Sequence, residues 1–440
     1  MTVGGRTGSL RSSPRRSRRC VVPTVLAENR DFRLFWMGQA VSLFGDQISL
    51  MALPLVAILL LGANAAQMGY LTAAGLAPYL LFPIVAGAWV DRRPWKRRIM
   101  LVADVVRALV LLSVPVAQVL GLLSLAYLYG AAFVVGSFSV LFFVSYNTVF
   151  VSLVPPGRYL EATSALAGAR ALSFLAGPSV GGLLVQALSA PLAVLADAFT
   201  FVGSGVLLSR VRSVEPAPAV REPRALLVGA RFIWRSRVVG SALAATATVN
   251  FFNYVFLALF LLYATQSLGV QPAVLGLVVG AASMGGLLGS VVTGRLARRV
   301  GIGPAVLTGT LGFTAPLLLV PLAGGPAPLV LVMLFLAEFG SGLGVMILDI
   351  SLGTVFAAVV PDPLRARVSG AYMAVNHGVR PLGSLLGGLL GTAIGVRSTL
   401  WIATLGAMAG ILWLLPSPLA RMRRVPRSAG ASPEAVVSLH

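Results

Sequence analysis

The sequence has few of the residues that enzymes use for catalysis. Its 440 residues include one cysteine, Cys20, one lysine, Lys96, and two histidines, His377 and His440. A single cysteine cannot form an intramolecular disulfide, and Cys20 has no neighbouring cluster of metal ligands. No phosphate-binding loop of the Gly-x-x-x-x-Gly-Lys-Ser/Thr type occurs. The sequence therefore argues against an enzyme, a metal site and an ATP-driven step.

Charged residues are also scarce. Only 11% of the residues are charged, whereas a typical soluble domain has about 25%. By contrast, 57% are hydrophobic and the mean hydropathy is +0.90. A net charge of +21 would suggest a nucleic-acid partner in a soluble protein, but this composition leaves too little polar surface for one. We therefore expect lipid as the solvent and no nucleic acid as a partner.

Twelve apolar runs, each long enough to cross a bilayer as a helix, lie between Leu34 and Pro416. The runs are continuously apolar and lack the alternation of a membrane β-strand. Thirty of the 34 Lys and Arg residues lie in the tails and in every second loop, which is typical of the cytoplasmic side. We predict an all-α integral membrane protein of the cell membrane, with twelve transmembrane helices and both termini in the cytoplasm.

The two halves of the chain repeat each other at an offset of 206 to 207 residues. Thr148-Val149-Phe150 recurs as Thr354-Val355-Phe356, and Gly181-Gly182 recurs as Gly387-Gly388. Six spans separate the copies, so a pseudo-twofold axis along the membrane normal relates two six-helix bundles. The predicted segments are a disordered basic tail (1–30), the N-terminal bundle (31–211), a linker with an amphipathic helix (212–238), the C-terminal bundle (239–416) and a cytoplasmic tail (417–440).

Three sequence motifs resemble those of a transporter family. After span two, Gly87-Ala88-Trp89-Val90-Asp91-Arg92-Arg93-Pro94-Trp95-Lys96-Arg97-Arg98 resembles the loop-two signature of the major facilitator superfamily. In span five, Gly177-Pro178-Ser179-Val180-Gly181-Gly182 resembles its antiporter signature, with Ser173 in place of an upstream glycine. The opening Asn29-Arg30-Asp31-Phe32-Arg33-Leu34-Phe35-Trp36, with Gly45-Asp46, is similar to the branch of macrolide efflux proteins and the enterobactin exporter.

This resemblance implies alternating access, driven by a proton gradient without a cofactor, and a cytoplasmic gate. Carried onto this chain, the gate residues are Gly87, Asp91 and Arg92, with Arg97 and Arg98 as helpers. The second copy has Arg298 where Asp91 would align, so we expect an asymmetric latch. The alternative is that the loop arginines only enforce topology. For the antiporter motif (Gly177, Pro178, Gly181 and Gly182), tight helix packing is an alternative that overlaps with a role against leakage.

Ionisable residues inside membrane spans are costly and by default indicate function. They are Asp46, Asp104, Arg107, Arg170, Asp197, Glu338, Asp349, His377 and Arg380. At about 1.5 Å per helical residue, Asp46, Arg170 and Glu338 lie near the midplane. We expect Asp104 and Arg107, which are three residues apart, to form a pair that supports the gate loop. Asp197 and Asp349 receive little functional weight.

In the superfamily that the motifs resemble, spans one, four, seven and ten line the central cavity. By this resemblance Asp46, Asn253 and Glu338 line the cavity. The candidate substrate and proton site comprises these residues together with Arg170, His377 and Arg380, which lie near the middle of spans five and eleven. Asp46 and Glu338 are the predicted sites for a proton or a cationic substrate, and the alternative is a structural ion pair such as Asp46 with Arg170. His377 titrates near neutrality, but a histidine at such a position is more often an interhelical hydrogen-bonding residue.

The sequence favours a proton-coupled exporter of small amphipathic molecules, drug-like or similar to natural products. An apolar cavity with few charges suits bulky hydrophobic ligands. The alternatives are an exporter of a siderophore, an amino acid or a lysolipid, and a non-transporting polytopic membrane protein. We expect a monomer whose basic cytoplasmic face contacts anionic lipids.

Overall fold

The computed structural model describes residues 24–212 and 225–423, and these residues form helices and turns with no β-strand among them. We number the long helices after the predicted spans. They are α1 (Arg30–Leu59), α2 (Ala65–Leu81, continued by Pro83–Asp91), α3 (Lys96–Val119), α4 (Leu125–Leu153), α5 (Tyr159–Ala187), α6 (Ala190–Ser209), α7 (Arg237–Leu262, continued by Tyr263–Ser267), α8 (Pro272–Val300), α9 (Ile302–Thr314, continued by Ala315–Leu318 and Leu319–Leu322), α10 (Ala327–Val359), α11 (Asp362–Ile394) and α12 (Val396–Ala409, continued by Gly410–Trp413).

Ten helices of the described residues are long and apolar enough to cross a membrane, and α2 makes eleven if its two parts are counted as one span. The parts of α2 meet at a bend of 51°, close to Pro83, which has no N–H to continue the helical ladder. Helix α11 is long enough but carries Arg365, Arg367 and Arg380, which interrupt its apolar sequence. The all-α class is confirmed, and the helix order is consistent with twelve spans.

The structure differs from the predicted segments at their ends. The disordered tail was predicted to reach residue 30, but Thr24–Glu28 is a helix whose Val25 is buried, and Val25 N–H donates to Glu161 Oε1 at 2.8 Å. The linker contains the helix Ala225–Arg235, which we call the surface helix. A short helix, Pro418–Arg421, packs against α9 beyond the predicted bundle. The rest of both predicted tails lies outside the described residues.

The same helix pairs recur in both halves. In the N-terminal half, α1 packs against α5 and α6, α2 against α4, and α3 against α4 and α6. In the C-terminal half, α7 packs against α11 and α12, α8 against α10, and α9 against α10 and α12. Each of these pairs lies six helices after its counterpart, which confirms two six-helix bundles related by a pseudo-twofold axis.

Repeated glycines allow the close packing within each half. Gly181 of α5 lies against the backbone of Ile48 in α1, and its repeat mate Gly387 of α11 lies against Val255 in α7. A Cβ built on Gly181 would approach Ile48 Cα to 3.1 Å, and one on Gly387 would approach the Val255 carbonyl oxygen to 2.7 Å. Small residues at these positions let the helix backbones meet.

Two further glycine pairs join the halves to each other. Gly182 of α5 faces Gly276 of α8, and Gly388 of α11 faces Gly69 of α2, so each pair is the repeat of the other. A Cβ on Gly69 would lie 2.7 Å from Gly388 Cα. We call these α5–α8 and α2–α11 contacts the seam. The described chain begins and ends on one side of the molecule, which we call the terminal side. The seam glycines lie at the opposite ends of their helices, on what we call the far side.

The buried apolar side chains are distributed in the same way. One large cluster runs through both halves on the far side, from residues such as Leu55 and Leu111 to Leu259 and Leu334. On the terminal side of the described chain, the N-terminal half has its own cluster and the C-terminal half has two more. The halves therefore share a core on the far side and have separate cores on the terminal side.

Candidate functional site

A buried ion pair lies inside the N-terminal half. Asp104 and Arg107 of α3 are paired, with side chains 0% and 3% exposed. Ser204 of α6 donates a hydrogen bond to the second Asp104 oxygen at 2.8 Å. Because residues three apart share a helix face, α3 itself sets the geometry of the pair. The pair lies within the bundle, and its predicted support of the gate loop stays a prediction.

Asp197 of α6 lies next to this pair and is 1% exposed. It accepts hydrogen bonds from the hydroxyl groups of Ser49 in α1 and Thr200 in α6, the latter at 2.8 Å. Gly45 makes room for this arrangement, because a Cβ at that position would collide with both Thr200 and Asp197. Helix α1 thus contributes a glycine and a hydroxyl group that hold a buried carboxyl group.

The Arg107 guanidinium is held by aromatic rings as well as by its ion pair. Its central carbon lies 4.6 Å from the centroid of Phe142 and 4.1 Å from that of Phe201. Its Nη1 group donates to the Ser139 hydroxyl oxygen at 3.4 Å, while Nε is buried without a partner in the described residues. A planar guanidinium can stack and pair at once, which a lysine ammonium cannot do.

Asp46 of α1 completes this group, and we call Asp46, Asp104, Arg107 and Asp197 the acidic cluster. Asp46 interacts electrostatically with the other three members. Its side chain is half-buried. The N-terminal half therefore holds three carboxyl groups and one guanidinium, and Asp104 is the carboxyl group that pairs with this guanidinium.

Asp46 and Arg170, the example given for a structural ion pair, do not form one in the described residues. Asp46 interacts with Arg107, whereas Arg170 is exposed on α5 and interacts with Tyr146 of α4. Depth along a helix can be read from the sequence, but the direction in which a side chain points around the bundle depends on packing. The similar depths of Asp46 and Arg170 therefore did not show that they meet.

Glu338 of α10 is the candidate carboxyl group of the C-terminal half. It is half-buried in α10, next to the fully buried Ala337 and close to the stacked rings of Phe335 and Phe339. Among the described residues, it forms no ion pair. An unpaired carboxylate in apolar surroundings is costly. The role of Glu338 as a proton or substrate site stays a prediction.

Three polar pairs connect α7 and α11, and we call them the ladder. Of their residues, only Arg380 was predicted as part of the site. Thr246 bonds the Tyr372 hydroxyl at 2.8 Å, and Asn250 donates to Asn376 at 3.0 Å. The third pair is Arg380, whose guanidinium lies 5.2 Å from the Tyr254 ring centroid and 3.5 Å from its hydroxyl oxygen. Polar residues four apart in both helices were the signal that could have revealed this ladder.

Two other predicted members of the site, His377 and Asn253, lie close to this ladder, as does Asp349. His377 is half-buried on α11 and interacts with Arg380, and Asp349 of α10 is exposed and also interacts with Arg380. Asn253 is half-buried on α7, one residue before Tyr254. The structure thus gathers His377 and Arg380 with Tyr254, and places Asp46 and Glu338 in different halves.

The predicted gate loop is anchored to the end of α6. Arg97 donates to the backbone carbonyls of Ser209, at 3.2 Å, and Val211. The guanidinium of Arg98 lies 5.8 Å from the Trp95 ring centroid, and Arg92 is exposed. These contacts fix the shape of the loop. The roles of Gly87, Asp91, Arg92, Arg97 and Arg98 in gating stay predictions.

The antiporter-like motif of α5 lies between two other helices. Gly177 and Gly181 face α1, where a Cβ on Gly177 would meet Gln47. Gly182 and the carbonyl oxygen of Pro178 face Gly276 of α8, so this side of the motif belongs to the seam. The structure shows the tight packing of these residues, and their role against leakage stays a prediction.

Sequence comparisons agree with this architecture. The profile described as Major Facilitator Superfamily matches residues 35–377 and 243–438. The multidrug efflux pump Tap of Mycolicibacterium fortuitum is 28% identical over 378 residues, covering 81% of this chain and 88% of the pump. An uncharacterized transporter of the same superfamily, YfiS of Bacillus subtilis, is 26% identical over 402 residues, covering 88% of this chain and 93% of its own.

Solved structures share the fold at lower identity. A bacterial homolog of the human lysosomal transporter Spinster, inward-facing and unoccupied, has a TM-score of 0.68 at 14% identity, covering 92% of this chain and 100% of its own. A bacterial homologue of the iron transporter ferroportin, inward-facing, has a TM-score of 0.70 at 16% identity, covering 88% of this chain and 98% of its own. Profile, helix pairs and repeated seam together show that the chain belongs to the Major Facilitator Superfamily of membrane transporters and is not an enzyme.

Proposed function

We propose that the chain is a proton-coupled exporter of small amphipathic molecules in the plasma membrane. The observation that carries the proposal is the acidic cluster, in which Asp104 is paired with Arg107 while Asp46 and Asp197 add two further carboxyl groups inside an apolar bundle. Net charge in such surroundings is costly, so the charge balance of the cluster depends on bound protons. Asp46 is its half-buried member and the one that exchanges protons with water.

The distribution of contacts supports an inward-facing state. The seam and the shared core join the halves on the far side, whereas the cores are separate on the terminal side. The basic loops lie on the terminal side, which by the positive-inside rule faces the cytoplasm. Rocking of the two bundles would open the seam and bring Asp91 and the loop arginines against the C-terminal half.

The residues near the seam and in the C-terminal half support the proposed substrate class. Apolar and aromatic side chains predominate, with Glu338 as an isolated carboxyl group for a cationic head group or a second proton. The names of the Tap relatives, multidrug efflux pumps, agree with such a substrate. Arg170 and Arg380 favour a second candidate class, amphiphiles with an anionic group such as a siderophore, an amino acid or a lysolipid. The protein acts as a monomer, with anionic lipid at its basic face.

Transport in inside-out vesicles from an efflux-deficient host tests this function. A panel of hydrophobic cations, macrolides and siderophores is offered with and without a pH gradient, and with an uncoupler. We expect the gradient to drive accumulation of hydrophobic cations or macrolides, and Asp46→Asn or Glu338→Gln to abolish it while insertion into the membrane is unchanged. Asp362→Asn is the matched control, because Asp362 is paired with Arg365 on the surface.

Two results would contradict the assignment. Transport by the wild type that is insensitive to the uncoupler would exclude proton coupling. If the wild type is coupled but Asp46→Asn and Glu338→Gln keep the same pH dependence as Asp362→Asn, the proton sites lie elsewhere in the chain.

A further inference from the structure

Helices α2 and α8 both begin on the far side, and each has a backbone N–H group that its own helix leaves without a bond. The first N–H groups of an α-helix have no carbonyl partner within the helix and are commonly bonded by the N-cap side chain. In α2, the N-cap Asn64 bonds the N–H group of Gln67, which leaves that of Ala66. In α8, the N-cap Gln271 makes no such bond, which leaves the N–H group of Ala273.

A side chain of the N-terminal half bonds the free N–H group of α8. Gln186, in the last turn of α5, accepts from the Ala273 N–H group through Oε1 at 3.1 Å. Its side-chain NH2 group donates to Gln271 Oε1 at 3.2 Å. One amide side chain can make both bonds because it carries an acceptor and two donors. Gln186 therefore holds the first turn of a helix that belongs to the other half.

A side chain of the C-terminal half bonds the free N–H group of α2 in the same way. The hydroxyl oxygen of Thr392, in the last turn of α11, accepts from the Ala66 N–H group at 3.0 Å. Its proton is directed to the Gly388 carbonyl oxygen, one turn earlier in α11, at 3.1 Å. The lone pairs of the hydroxyl oxygen therefore remain for Ala66, and α11 itself keeps the acceptor in place.

The two contacts are repeats of each other. Thr392 lies 206 residues after Gln186, and Ala273 lies 207 residues after Ala66, which is the offset of the internal repeat. Each capping residue also follows a seam glycine by four positions, about one helical turn. Both capping side chains are exposed, so these contacts form the water-accessible rim of the seam. A chance contact would not be expected to recur at the offset of the repeat.

We propose that Gln186 and Thr392 form a far-side latch, in which each residue stabilises the closed seam by capping a helix of the other half. The inference rests on the rocking of the two bundles in the proposed function. When the seam opens, the N–H groups of Ala66 and Ala273 lose these partners and bond to water instead. The net contribution of one such hydrogen bond corresponds to about three- to tenfold in an equilibrium constant. Because the two bonds lie in separate contacts of the seam, their effects on closure add as free energies.

Distances across the far side test the latch without a transport assay. Spin labels are attached to Leu122→Cys and Gly324→Cys, at exposed positions between α3 and α4 and between α9 and α10, in a Cys20→Ser background. We expect Gln186→Leu or Thr392→Val to raise the ratio of the open to the closed population by about three- to tenfold. The double variant should raise this ratio by the product of the two single effects.

Gln118→Leu and Thr265→Val are the matched controls. Gln118 is an exposed glutamine at the far-side end of α3, which packs against α4 and α6 of its own half. Thr265 lies at the far-side end of α7, and its hydroxyl group bonds only its own helix among the described residues. Thr392→Ser keeps the hydroxyl oxygen and should retain the distances of the wild type.

Two results would overturn the inference. The first is a set of distances for Gln186→Leu and Thr392→Val that matches those of the controls. The second is a lower unfolding temperature with unchanged distances, because residues that only stabilise α5 and α11 would act equally in both conformations. Wild-type transport that is insensitive to the proton gradient would contradict the proposed coupling, but it would leave the distances, and hence the latch, unaffected.

Discussion

Replacement of Gly182 by alanine tests whether the seam sets the balance between conformations. A Cβ on Gly182 would press on the carbonyl oxygen of Pro272 and lie 3.1 Å from both N and Cα of Gly276. These are backbone atoms, so the clash cannot be relieved by rotation of a flexible side chain. Overpacking of this kind costs about 1 to 3 kcal/mol, and about 1.4 kcal/mol corresponds to a tenfold change in an equilibrium constant. We expect Gly182→Ala to favour the open seam by about 5- to 150-fold.

Gly168→Ala is the matched control on the same helix. A Cβ on Gly168 meets nothing within 4 Å, so the substitution adds a methyl group without a clash. Both substitutions raise the helix propensity of α5 by about 1 kcal/mol, and this contribution cancels in the comparison. The difference between the two variants therefore reports the seam alone.

The equilibrium can be measured as a distance on the terminal side. Gly157 and Val300 are exposed positions at the terminal-side ends of the N- and C-terminal halves, suitable for a pair of spin labels in a Cys20→Ser background. Opening of the seam brings these ends together, so Gly182→Ala should increase the population of the shorter distance. Identical distance distributions for Gly182→Ala and Gly168→Ala would refute the argument that packing at the seam controls access.

Two further predictions concern stability and the surface helix. Asp104→Asn leaves Arg107 buried with less negative charge beside it, so we expect it to destabilise the protein by about 3 to 5 kcal/mol. Ser204→Ala removes one hydrogen bond and should cost about 1 kcal/mol. Equal unfolding temperatures of the two variants in detergent would contradict this expectation. Gly229→Val should detach the surface helix from α11, because a Cβ there would collide with the Arg367 carbonyl group. Limited proteolysis should then cleave the linker faster, and an unchanged cleavage rate would count against that contact.

Much of the fold could be predicted because its signals are local. Apolar runs gave the helices, and the spacing of glycines such as Gly182 and Gly388 gave the repeat that later proved to be the seam. Helix α11 is a less obvious span because Arg365 and Arg367 lie near its start and the ladder residues Tyr372, Asn376 and Arg380 follow. Its place was nevertheless predictable, since the repeat requires a counterpart to α5.

The candidate site was less predictable because its contacts join distant parts of the chain. Asp197 received little weight from its depth alone, yet it binds Ser49, which lies 148 positions earlier. Tyr79 of α2 gave no signal at all, because a tyrosine in an apolar helix is common, and the ring that it contacts, His377, comes from α11. A single sequence gives the depth of each polar residue, while helix packing decides which of them meet.

Comparison of the repeated positions also shows that the two halves carry their buried charged residues at different places. The positions 206 to 207 residues after the four members of the acidic cluster carry no charge, and the residue that corresponds to Asp46 in the repeat is Asn253. Conversely, Arg380 corresponds to Ser173, and Glu338 to the alanines at 131 and 132. On the proposed function, the main proton site, Asp46, therefore lies in the N-terminal half, while two candidate substrate contacts, Glu338 and Arg380, lie in the C-terminal half. Exchange of protons for substrate then depends on the contacts between the halves, because neither half alone holds both sets of residues.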